Sequence, residues 1–200
     1  MAKQQLRMIR PELTTLPPLR IPRSYGLRTY QVGDDQHWAE IINDSFGGQR
    51  TTEDSRREIM NQDIFDPEGL FFVTYQGQPI GTACAWRWHD PYEKEIGQLH
   101  MVGVHSDHSG AKLGMYVSLA VLHYLREHEY TCAILGTDDF RLPAIKTYLN
   151  LGFLPICIDG DQPERWRSIG PKLGLPPLED KIEQIRSELT EAVMLRAIGP

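Results

Sequence analysis

The sequence predicts a mixed α/β domain whose sheet is antiparallel at its start and partly parallel at its middle. Two strand-like segments, residues 70–75 and 79–88, are joined by a short turn that contains a glycine, which is typical of a hairpin. The chain then alternates between strand and helix patterns over residues 97–104, 115–128 and 132–137, and this order favours parallel strands with helices against the sheet. Two hundred residues are enough for one such domain with a substantial core.

Composition and charge limit the classes of function. Charged residues make up 24% of the chain and hydrophobic residues 40%, as in an ordinary soluble protein. The formal net charge of -6 argues against a broad nucleic-acid or membrane surface, and no apolar run approaches the ~20 residues of a membrane helix. Cys84, Cys132 and Cys157 are odd in number and widely spaced, which indicates reduced core thiols rather than disulfides or zinc ligands. We therefore expect a cytoplasmic protein with no nucleic-acid partner, no membrane partner and no metal.

Both ends of the chain are expected to lie outside the main domain, which we place at residues 25–158. Residues 1–24 are interrupted by prolines and lack the apolar centre of a signal peptide, so they predict an extended arm. Residues 159–200 contain a linker rich in proline and glycine at 162–177, followed by an amphipathic helix. The apolar stripe of that helix consists of Ile182, Ile185, Leu189, Ala192 and Val193. We expect the arm and this helix to pack on the domain or on the partner in a homodimer.

The first half of the domain is predicted to contain one strand and two helices ahead of the hairpin. The strand is expected at residues 25–31, where Leu27, Thr29 and Gln31 alternate with Arg28 and Tyr30. Asp34 or Asp35 is expected to cap a helix that ends at the glycine pair 47–48. Residues 51–54 carry a capping pattern, which predicts a short helix that continues to Met60.

The strand at 97–104, the turn-rich loop at 105–114 and the following helix organise the rest of the domain. The helix is apolar nearly all round and is therefore expected to be buried against the sheet. A strand, a loop of small residues and a helix N-terminus in this order form a cradle for a phosphate group. The loop N–H groups and the positive end of the helix dipole then face the anion.

A second helix is predicted after the strand at 132–137. Its apolar face consists of Ala144, Ile145, Tyr148 and Leu149. Asp138 or Asp139 is the expected cap and Gly152 the expected stop. A last strand is expected at residues 154–158.

Two motifs in this part of the chain resemble those of the GNAT-type N-acetyltransferases. Residues 104–114, V-H-S-D-H-S-G-A-K-L-G, resemble the family's acyl-coenzyme A pyrophosphate loop, Arg/Gln-x-x-Gly-x-Gly/Ala. Residues 144–153, A-I-K-T-Y-L-N-L-G-F, resemble its second signature, Ala-x-x-x-Tyr-x-x-x-Gly-Phe. The motifs stand in the family's order, one helix and one strand apart, and the resemblance covers residues 25–158. It implies a largely antiparallel central sheet with a parallel β-α-β core, flanked by helices.

Three residues depart from the family pattern. Ser109 and Lys112 stand where the family usually has Arg or Gln, and Gly, and Arg141 stands where many relatives carry Asn. A lysine has a Cβ, so a positive φ at Lys112 would cost about 1 kcal/mol or more. With a negative φ, its N–H would still face the pyrophosphate and its ammonium group would add a contact. The departures therefore bear on the geometry of the loop more than on its identity.

The resemblance implies direct transfer of an acetyl group from acetyl-coenzyme A, as cosubstrate, to an amine of a small molecule or a peptide, without a covalent enzyme intermediate. It also implies that the cosubstrate contacts Met101, Val102, Gly103, Val104, Ser109, Gly110, Ala111, Lys112, Leu113, Gly114, Met115, Arg141 and Ala144. Backbone N–H groups near residues 102–104 are expected to stabilise the oxyanion. The alternative is a non-catalytic acyl-coenzyme A-binding sensor or structural module with the same fold. The altered loop and the neutral Gln98 favour that alternative.

Tyr148 and His100 are the expected catalytic residues. By its place in the second signature, Tyr148 is expected to protonate the departing thiolate; packing of its ring on a helix face is the structural alternative. Strand alternation predicts that Gln98, His100, Val102 and Val104 share one face. An imidazole titrates near neutral pH, and the similar arylalkylamine acetyltransferases place a His at this offset, so His100 is the candidate base.

Several alternatives to His100 remain open at the sequence level. Glu93 and Glu95 lie in a loop where an acceptor would enter, and a water chain can replace a dedicated base. His100 itself can also be a structural residue of the sheet. His105, Asp107 and His108 lack the helical spacing and the further ligand of a metal site. The aromatic and basic segment at 86–89 is expected near the acceptor cleft. Its side chains can either pack in the core or contact the acceptor.

Overall fold

The computed structural model describes residues 4–87, 96–157 and 160–175. The strands in these ranges are β1 (Leu6–Arg10), β2 (Tyr25–Thr29), β3 (Leu70–Tyr75), β4 (Gln78–Arg87), β5 (Ile96–Val104), β6 (Cys132–Thr137) and β7 (Leu154–Ile156). The α-helices are α1 (Asp34–Phe46), α2 (Thr52–Ser55), α3 (Leu113–Glu127), α4 (Leu142–Asn150) and α5 (Gln162–Lys172). None of the helices within these ranges is long and apolar enough to cross a membrane.

The strands form one mixed sheet in the order β2-β3-β4-β5-β6-β1-β7. Neighbouring strands are antiparallel, except for β5 and β6, which run parallel and are connected by α3. A parallel pair needs such a crossover, because the chain must return to the same end of the sheet before the second strand begins. The predicted sheet, antiparallel at its start and parallel at its middle, is confirmed.

Helices on both faces of the sheet bury two separate cores. The α3-side core contains Val117 of α3, Ile145 of α4 and Trp166 of α5, all fully buried. The α1-side core contains Trp38 of α1, packed with Phe72 of β3 and with neighbouring strand residues. Because strand side chains alternate between faces, β3, β4 and β5 contribute side chains to both cores.

The arm expected at residues 1–24 is wrong for Leu6–Arg10, which forms β1 in the interior of the sheet. β1 lies between β6 and β7 and is antiparallel to both, and Leu6 and Met8 are fully buried in the α3-side core. The prolines that suggested an arm all follow Arg10. The guanidinium of Arg10, 7% exposed, donates to the carbonyls of Glu12 (2.9 Å), Thr15 (2.7 Å) and Leu151. These bonds fasten the chain after β1 to the end of α4.

Other predicted boundaries also need correction. The first eleven residues of the expected 162–177 linker form α5, which docks through Trp166 and Ile169, each 0% exposed. α4 is preceded by Arg141 at its N-cap position, without a side-chain cap, so neither Asp138 nor Asp139 caps it. α1 likewise starts after Gly33, with both aspartates in its first turn. The helix expected near the C-terminus lies outside the described residues.

Two local predictions are confirmed in detail. Thr51 and Asp54 form the predicted capping box, in which each side chain accepts a hydrogen bond from the other residue's N–H. Gln76 and Gly77, at the tip of the β3–β4 hairpin, both have positive φ (49° and 85°). Two consecutive positive φ values match the right-handed twist of the strands in a two-residue hairpin turn.

Candidate active site

β5 and β6 separate halfway along their length, and a cleft opens between them. Their parallel pairing runs from Ile96 opposite Cys132 to Gln98 opposite Ile134. Beyond this point β5 bends, because Met101 adopts φ 50° and the register with β4 shifts between Thr82 and Cys84. A bulge of this kind increases the local twist of a strand. The edge of β5 after Gln98 consequently faces the cleft instead of β6.

The cleft has a volume of about 130 Å³ and brings together many of the predicted site residues. Those among its lining are His100, Met101, Val102, Arg141, Ala144 and Tyr148. Residues that sequence reasoning did not single out as site residues line it too: Gln5, Phe46, Leu99, Gly136, Thr137 and Asp138. Gln98, considered only as a position without a carboxylate, also lines the cleft. The predicted catalytic pair thus shares one cleft.

Tyr148 extends from α4 into the cleft and is 7% exposed. Its ring meets Phe153 edge-on, with 6.0 Å between centroids. Burial raises the pKa of the Tyr148 phenol to about 12, and the positive charge of Arg141 partly opposes this shift. The phenol therefore stays protonated at neutral pH, as a proton donor must.

His100 is half-buried on β5, opposite Cys84 of β4. Its ring lies beside Trp86, with 5.5 Å between centroids and 31° between planes. Trp86 is 7% exposed and belongs to the α1-side core, which favours the packing interpretation for this tryptophan. The imidazole therefore lies on the α1 side of the sheet, while α4 and Tyr148 belong to the α3 side.

The expected alternation along β5 is wrong beyond His100. Val102 and Val104 pack with the α3-side core, whereas Met101 packs with the α1-side core. The bulge at Met101 adds one residue to β5 and so reverses the facing of the residues that follow. Gly103 consequently faces α1, where an added Cβ would lie 3.0 Å from Ser45 Oγ. A larger residue at this position would require the side chains of Ser45 and Ile42 to shift, because α1 approaches the strand closely.

The predicted phosphate loop connects β5 to α3 and begins with a single 3-10 turn, Ser106–His108. The N–H of Ser109 donates to Ser106 O (3.0 Å), and that of Met115 donates to Lys112 O (3.0 Å). These two N–H groups are therefore used within the protein. Between them, Gly110 has φ 85° in open space, and α3 begins at Leu113. The first N–H groups of a helix have no acceptor inside the helix, so those of Leu113 and Gly114 suit an anion.

Lys112 immediately precedes α3 in the left-handed conformation, with φ 58° and ψ 23°. Lys112 therefore has the positive φ for which a cost is expected from the sequence, and the residue carries a strain of about 1 kcal/mol relative to glycine. Its side chain is exposed.

Side chains from α1, β2 and β3 fix the loop from outside. Asp44 of α1 accepts hydrogen bonds from the N–H (2.6 Å) and the hydroxyl (3.0 Å) of Ser106. The ring of His108 lies against Tyr75 of β3 (5.0 Å between centroids) and Tyr25 of β2 (5.9 Å). These contacts hold the loop before any ligand binds. Within the described residues, no group of three metal-ligating side chains is found.

Arg141 crosses the mouth of the cleft from α4 toward α1. Its guanidinium lies 4.1 Å from the centre of the Phe46 ring, donates to Ser45 O (3.3 Å) and pairs with Asp138 (3.1 Å). An asparagine, the residue that the resemblance suggested for this position, is too short for these contacts. Arg141 thus forms a bridge between the two helices that border the cleft.

The loop with Glu93 and Glu95, and the residues Trp88 and His89, lie outside the described residues. Gln5, Asp44 and Phe46 were missed as site residues because they lie on elements remote in sequence from both motifs. For Gln5 the only sequence signal was the alternating apolar pattern of residues 6–9, which predicts a strand and hence a place in the sheet.

The sheet that opens between two parallel strands, next to a loop at a helix N-terminus, is the architecture of GCN5-related N-acetyltransferases. The structure of one such protein from Sphaerobacter thermophilus superposes with a TM-score of 0.58 at 20% identity, over 76% of this chain and 49% of that one. A GNAT-family acetyltransferase from Colwellia psychrerythraea gives a TM-score of 0.60 at 14% identity, over 76% and 53%. At these identities the likeness establishes the fold.

Residues 36–153, more than half of the chain, match the acetyltransferase (GNAT) family, and the protein belongs to that family. Curated relatives include the mycothiol acetyltransferases of Mycolicibacterium smegmatis, 32% identical over 169 residues, and of Nocardia farcinica, 31% identical over 168. The matches cover 78% of this chain and 55% and 54% of those proteins. The chain thus spans about half the length of the curated relatives it matches.

Proposed function

We propose that the protein transfers an acetyl group from acetyl-coenzyme A to an amine of a small molecule or a peptide. The observation that carries this proposal is the cleft between β5 and β6, with Tyr148 on its wall and the loop before α3 at the end of the same strand. The family match supports the reaction, and the curated relatives are named acetyltransferases.

The cosubstrate is bound in two places. Its pyrophosphate lies on the loop, where the N–H groups of Gly110, Leu113 and Gly114 and the dipole of α3 provide positive potential. Its thioester arm enters the cleft, with Ala144 and Val102 on the walls and Arg141 at the mouth. The ammonium group of Lys112 adds a cation beside the phosphates. This arrangement orients the thioester carbon between Tyr148 and the edge of β5.

The reaction is a single transfer without a covalent enzyme intermediate. The amine nitrogen attacks the thioester carbonyl carbon, and the oxyanion accepts hydrogen bonds from N–H groups on the exposed edge of β5. The C–N bond forms, the C–S bond breaks, and the nitrogen loses a proton to a base. Tyr148 donates its phenolic proton to the departing sulfur, which gives coenzyme A as a thiol.

The base is needed because an alkylammonium group with pKa ~10.4 is only ~0.04% neutral at pH 7. His100 is the described residue best suited to this role, since it lines the cleft from the α1 side. Glu93, Glu95 and a water chain are the competing assignments. Gln98, which also lines the cleft, has no proton-accepting group at neutral pH.

Isothermal titration with coenzyme A, followed by a thiol-release assay with acetyl-coenzyme A and a panel of amines, tests the proposal. Binding and amine-dependent thiol release are expected. The variant Asp44→Asn tests the role of the loop, because the change weakens the anchor of the loop on α1. We expect it to raise the KM for acetyl-coenzyme A while the KM for the amine stays constant. A titration without heat at several temperatures, together with no thiol release, would refute the proposal.

The specific observations at Gln98 and Lys112 favour one second candidate, a non-catalytic acyl-coenzyme A-binding module. Position 98 carries no carboxylate, and position 112 of the loop carries a lysine where the resemblance implies a glycine. Tight binding of coenzyme A with no turnover across the whole panel would select this candidate.

A further inference from the structure

A groove adjoins the cleft on the surface of β5, β6 and β1. It has a volume of about 200 Å³ and is lined by Gln4, Gln5, Arg7, Gln98, Leu135 and Gly136. Gln5, Gln98 and Gly136 line both the groove and the cleft, so the two spaces are continuous.

Strand register places this groove on the α1 side of the sheet. Gln98 is opposite Trp86, a member of the α1-side core, and opposite Ile134 of β6. Gly136 lies two residues after Ile134 and opposite Arg7, so these side chains share that face. The phosphate loop leads into α3, and Tyr148 belongs to the α3-side core. A thioester that arrives along the loop and an acceptor in the groove would therefore meet through the gap between β5 and β6.

Gly136 keeps the floor of the groove flat. A Cβ at this position would lie 2.7 Å from Oε1 of Gln5, so any larger residue must displace the Gln5 side chain. The amide nitrogen of Gln5 donates to Asp138 (3.3 Å). This bond holds the amide nitrogen of Gln5, while its Oε1 lies next to Gly136 at the floor of the groove.

The chemistry of the lining selects a class of acceptor. Among the described residues that line the groove, the polar side chains are three primary amides and one guanidinium, and none is a carboxylate. A primary amide offers two N–H donors and a carbonyl acceptor, which suit neutral hydroxyl or amide groups. Asp138, the described carboxylate that lines the adjoining cleft, is already paired with Arg141 (3.1 Å). A polyamine would therefore bring several positive charges to a lining without an unpaired negative charge to compensate their desolvation.

We propose that this groove is the acceptor subsite, and that Gln5 and Gln98 recognise neutral hydrogen-bonding groups, amide or hydroxyl, next to the reacting amine. The inference rests on the proposed acetyl transfer. It adds two recognition residues and the polarity of the acceptor.

The test uses the full chain with acetyl-coenzyme A and three acceptor arms: amino-acid amides, amino sugars and polyamines. We expect kcat/KM for the better of the first two arms to exceed that for polyamines by about tenfold or more, the effect of one hydrogen-bonded group. The amide and sugar arms distinguish the two sources of neutral polar groups. A preference for polyamines would overturn the inference about the acceptor. Thiol release with those polyamines would still support the proposed acetyl transfer.

Gln5→Leu and Gln98→Leu test the residues. Each is expected to raise the acceptor KM about tenfold and to leave the acetyl-coenzyme A KM within about twofold. Gln36→Leu is the matched control, because Gln36 lies on α1 and donates only to Glu40 (2.8 Å). Equal effects of the Gln5 and Gln98 variants on both KM values would overturn the assignment. An absence of thiol release with every amine would overturn the acetyl transfer as well.

Discussion

Tyr148 combines burial with a position on the wall of the cleft, and these two properties determine its chemistry. Burial raises the pKa of the phenol to about 12, so the proton is retained across the neutral range and well into the alkaline one. Arg141, the nearby cation, favours the phenolate and so assists the loss of that proton. A sequence motif indicated the residue, whereas its burial and the raised pKa that follows from it are visible only in the structure.

Tyr148→Phe removes the proton donor and little volume. We expect kcat to fall by about 10²-fold or more, the usual contribution of a general acid, and the acetyl-coenzyme A KM to change little. Steady-state kinetics with a saturating amine measure both values. Unchanged turnover in the Phe variant would return Tyr148 to a packing role.

His100→Gln tests the base through pH. A base works only when deprotonated, so activity should rise with pH along an acidic limb in the parent protein. In the Gln variant we expect that limb to disappear or to move, since the titrating imidazole is gone. An identical limb in both proteins would assign the base to Glu93, Glu95 or water.

Lys112 allows a test of backbone strain. Lys112→Gly and Lys112→Ala both delete the ammonium group, but only glycine adopts φ 58° without cost. We expect the glycine variant to be more stable than the alanine variant by about 1 kcal/mol, the reverse of the usual order in a helix. Denaturant unfolding of both variants measures the difference, and equal stabilities would show that the position is not strained.

At the scale of elements, hydrophobic patterns predicted the central strands and helices well. The bounds of β3 and β6 agree with the predicted segments 70–75 and 132–137. The pattern failed where one residue changed the register: the bulge at Met101 reverses the facing of Val102 and Val104, and period-two alternation contains no sign of it. The course of β5 through the site therefore had to come from the structure.

α5 was missed because its prolines and glycines indicate a linker. Pro163 lies in the first turn, where the missing N–H costs nothing, and Pro171 lies in the last turn. Trp166 and Ile169, three residues apart and both fully buried, are the signal that could have revealed the helix.

α5 also supports the cleft, through an ion pair with the loop between β6 and α4. Arg165, 7% exposed, contacts both carboxylate oxygens of Asp139 through Nε (3.2 and 3.1 Å). This pairing raises the pKa of the guanidinium above its usual value. Asp139 is the neighbour of Asp138, which lines the cleft and pairs with Arg141. The loop between β6 and α4 is thus held by α5 on one side and by α1 on the other.

Arg165→Met removes this support while retaining the aliphatic stem. We expect the acetyl-coenzyme A KM to rise several-fold to about tenfold, the effect of losing one charge-assisted pair, with a much smaller change in kcat. Arg126→Met is a suitable control, because Arg126 is an exposed partner of Glu127 on α3. Equal KM values for the two variants would contradict a positioning role for Arg165.

At the scale of the whole molecule, the main surprise is the N-terminal strand. The family match starts at residue 36, yet Leu6–Arg10 lies between β6 and β7 and carries Gln5 to the cleft. Strand order in a sheet depends on contacts between distant segments, which a local pattern does not contain. The mixed sheet and the parallel pairing of β5 with β6 were predictable from the order of elements, whereas the place of β1 beside β6 was not.

Met8→Ala measures how much the fold depends on β1. Met8 is fully buried, so we expect a loss of about 2–5 kcal/mol in the free energy of unfolding. Val32→Ala, at a residue that is 98% exposed, is expected to stay within about 0.5 kcal/mol of the parent protein. A Met8 variant as stable as the Val32 control would place β1 outside the cooperative core.

Among the described residues, three pairs join β5 to β6, so the sheet consists of two halves that meet at a narrow seam. One half contains β2 to β5 and the other β6, β1 and β7. A molecule bound in the gap contacts both halves and therefore stabilises their association. Saturating coenzyme A should slow amide hydrogen exchange in β6 and β1 as well as in the loop, because the two halves separate less often when the ligand is bound.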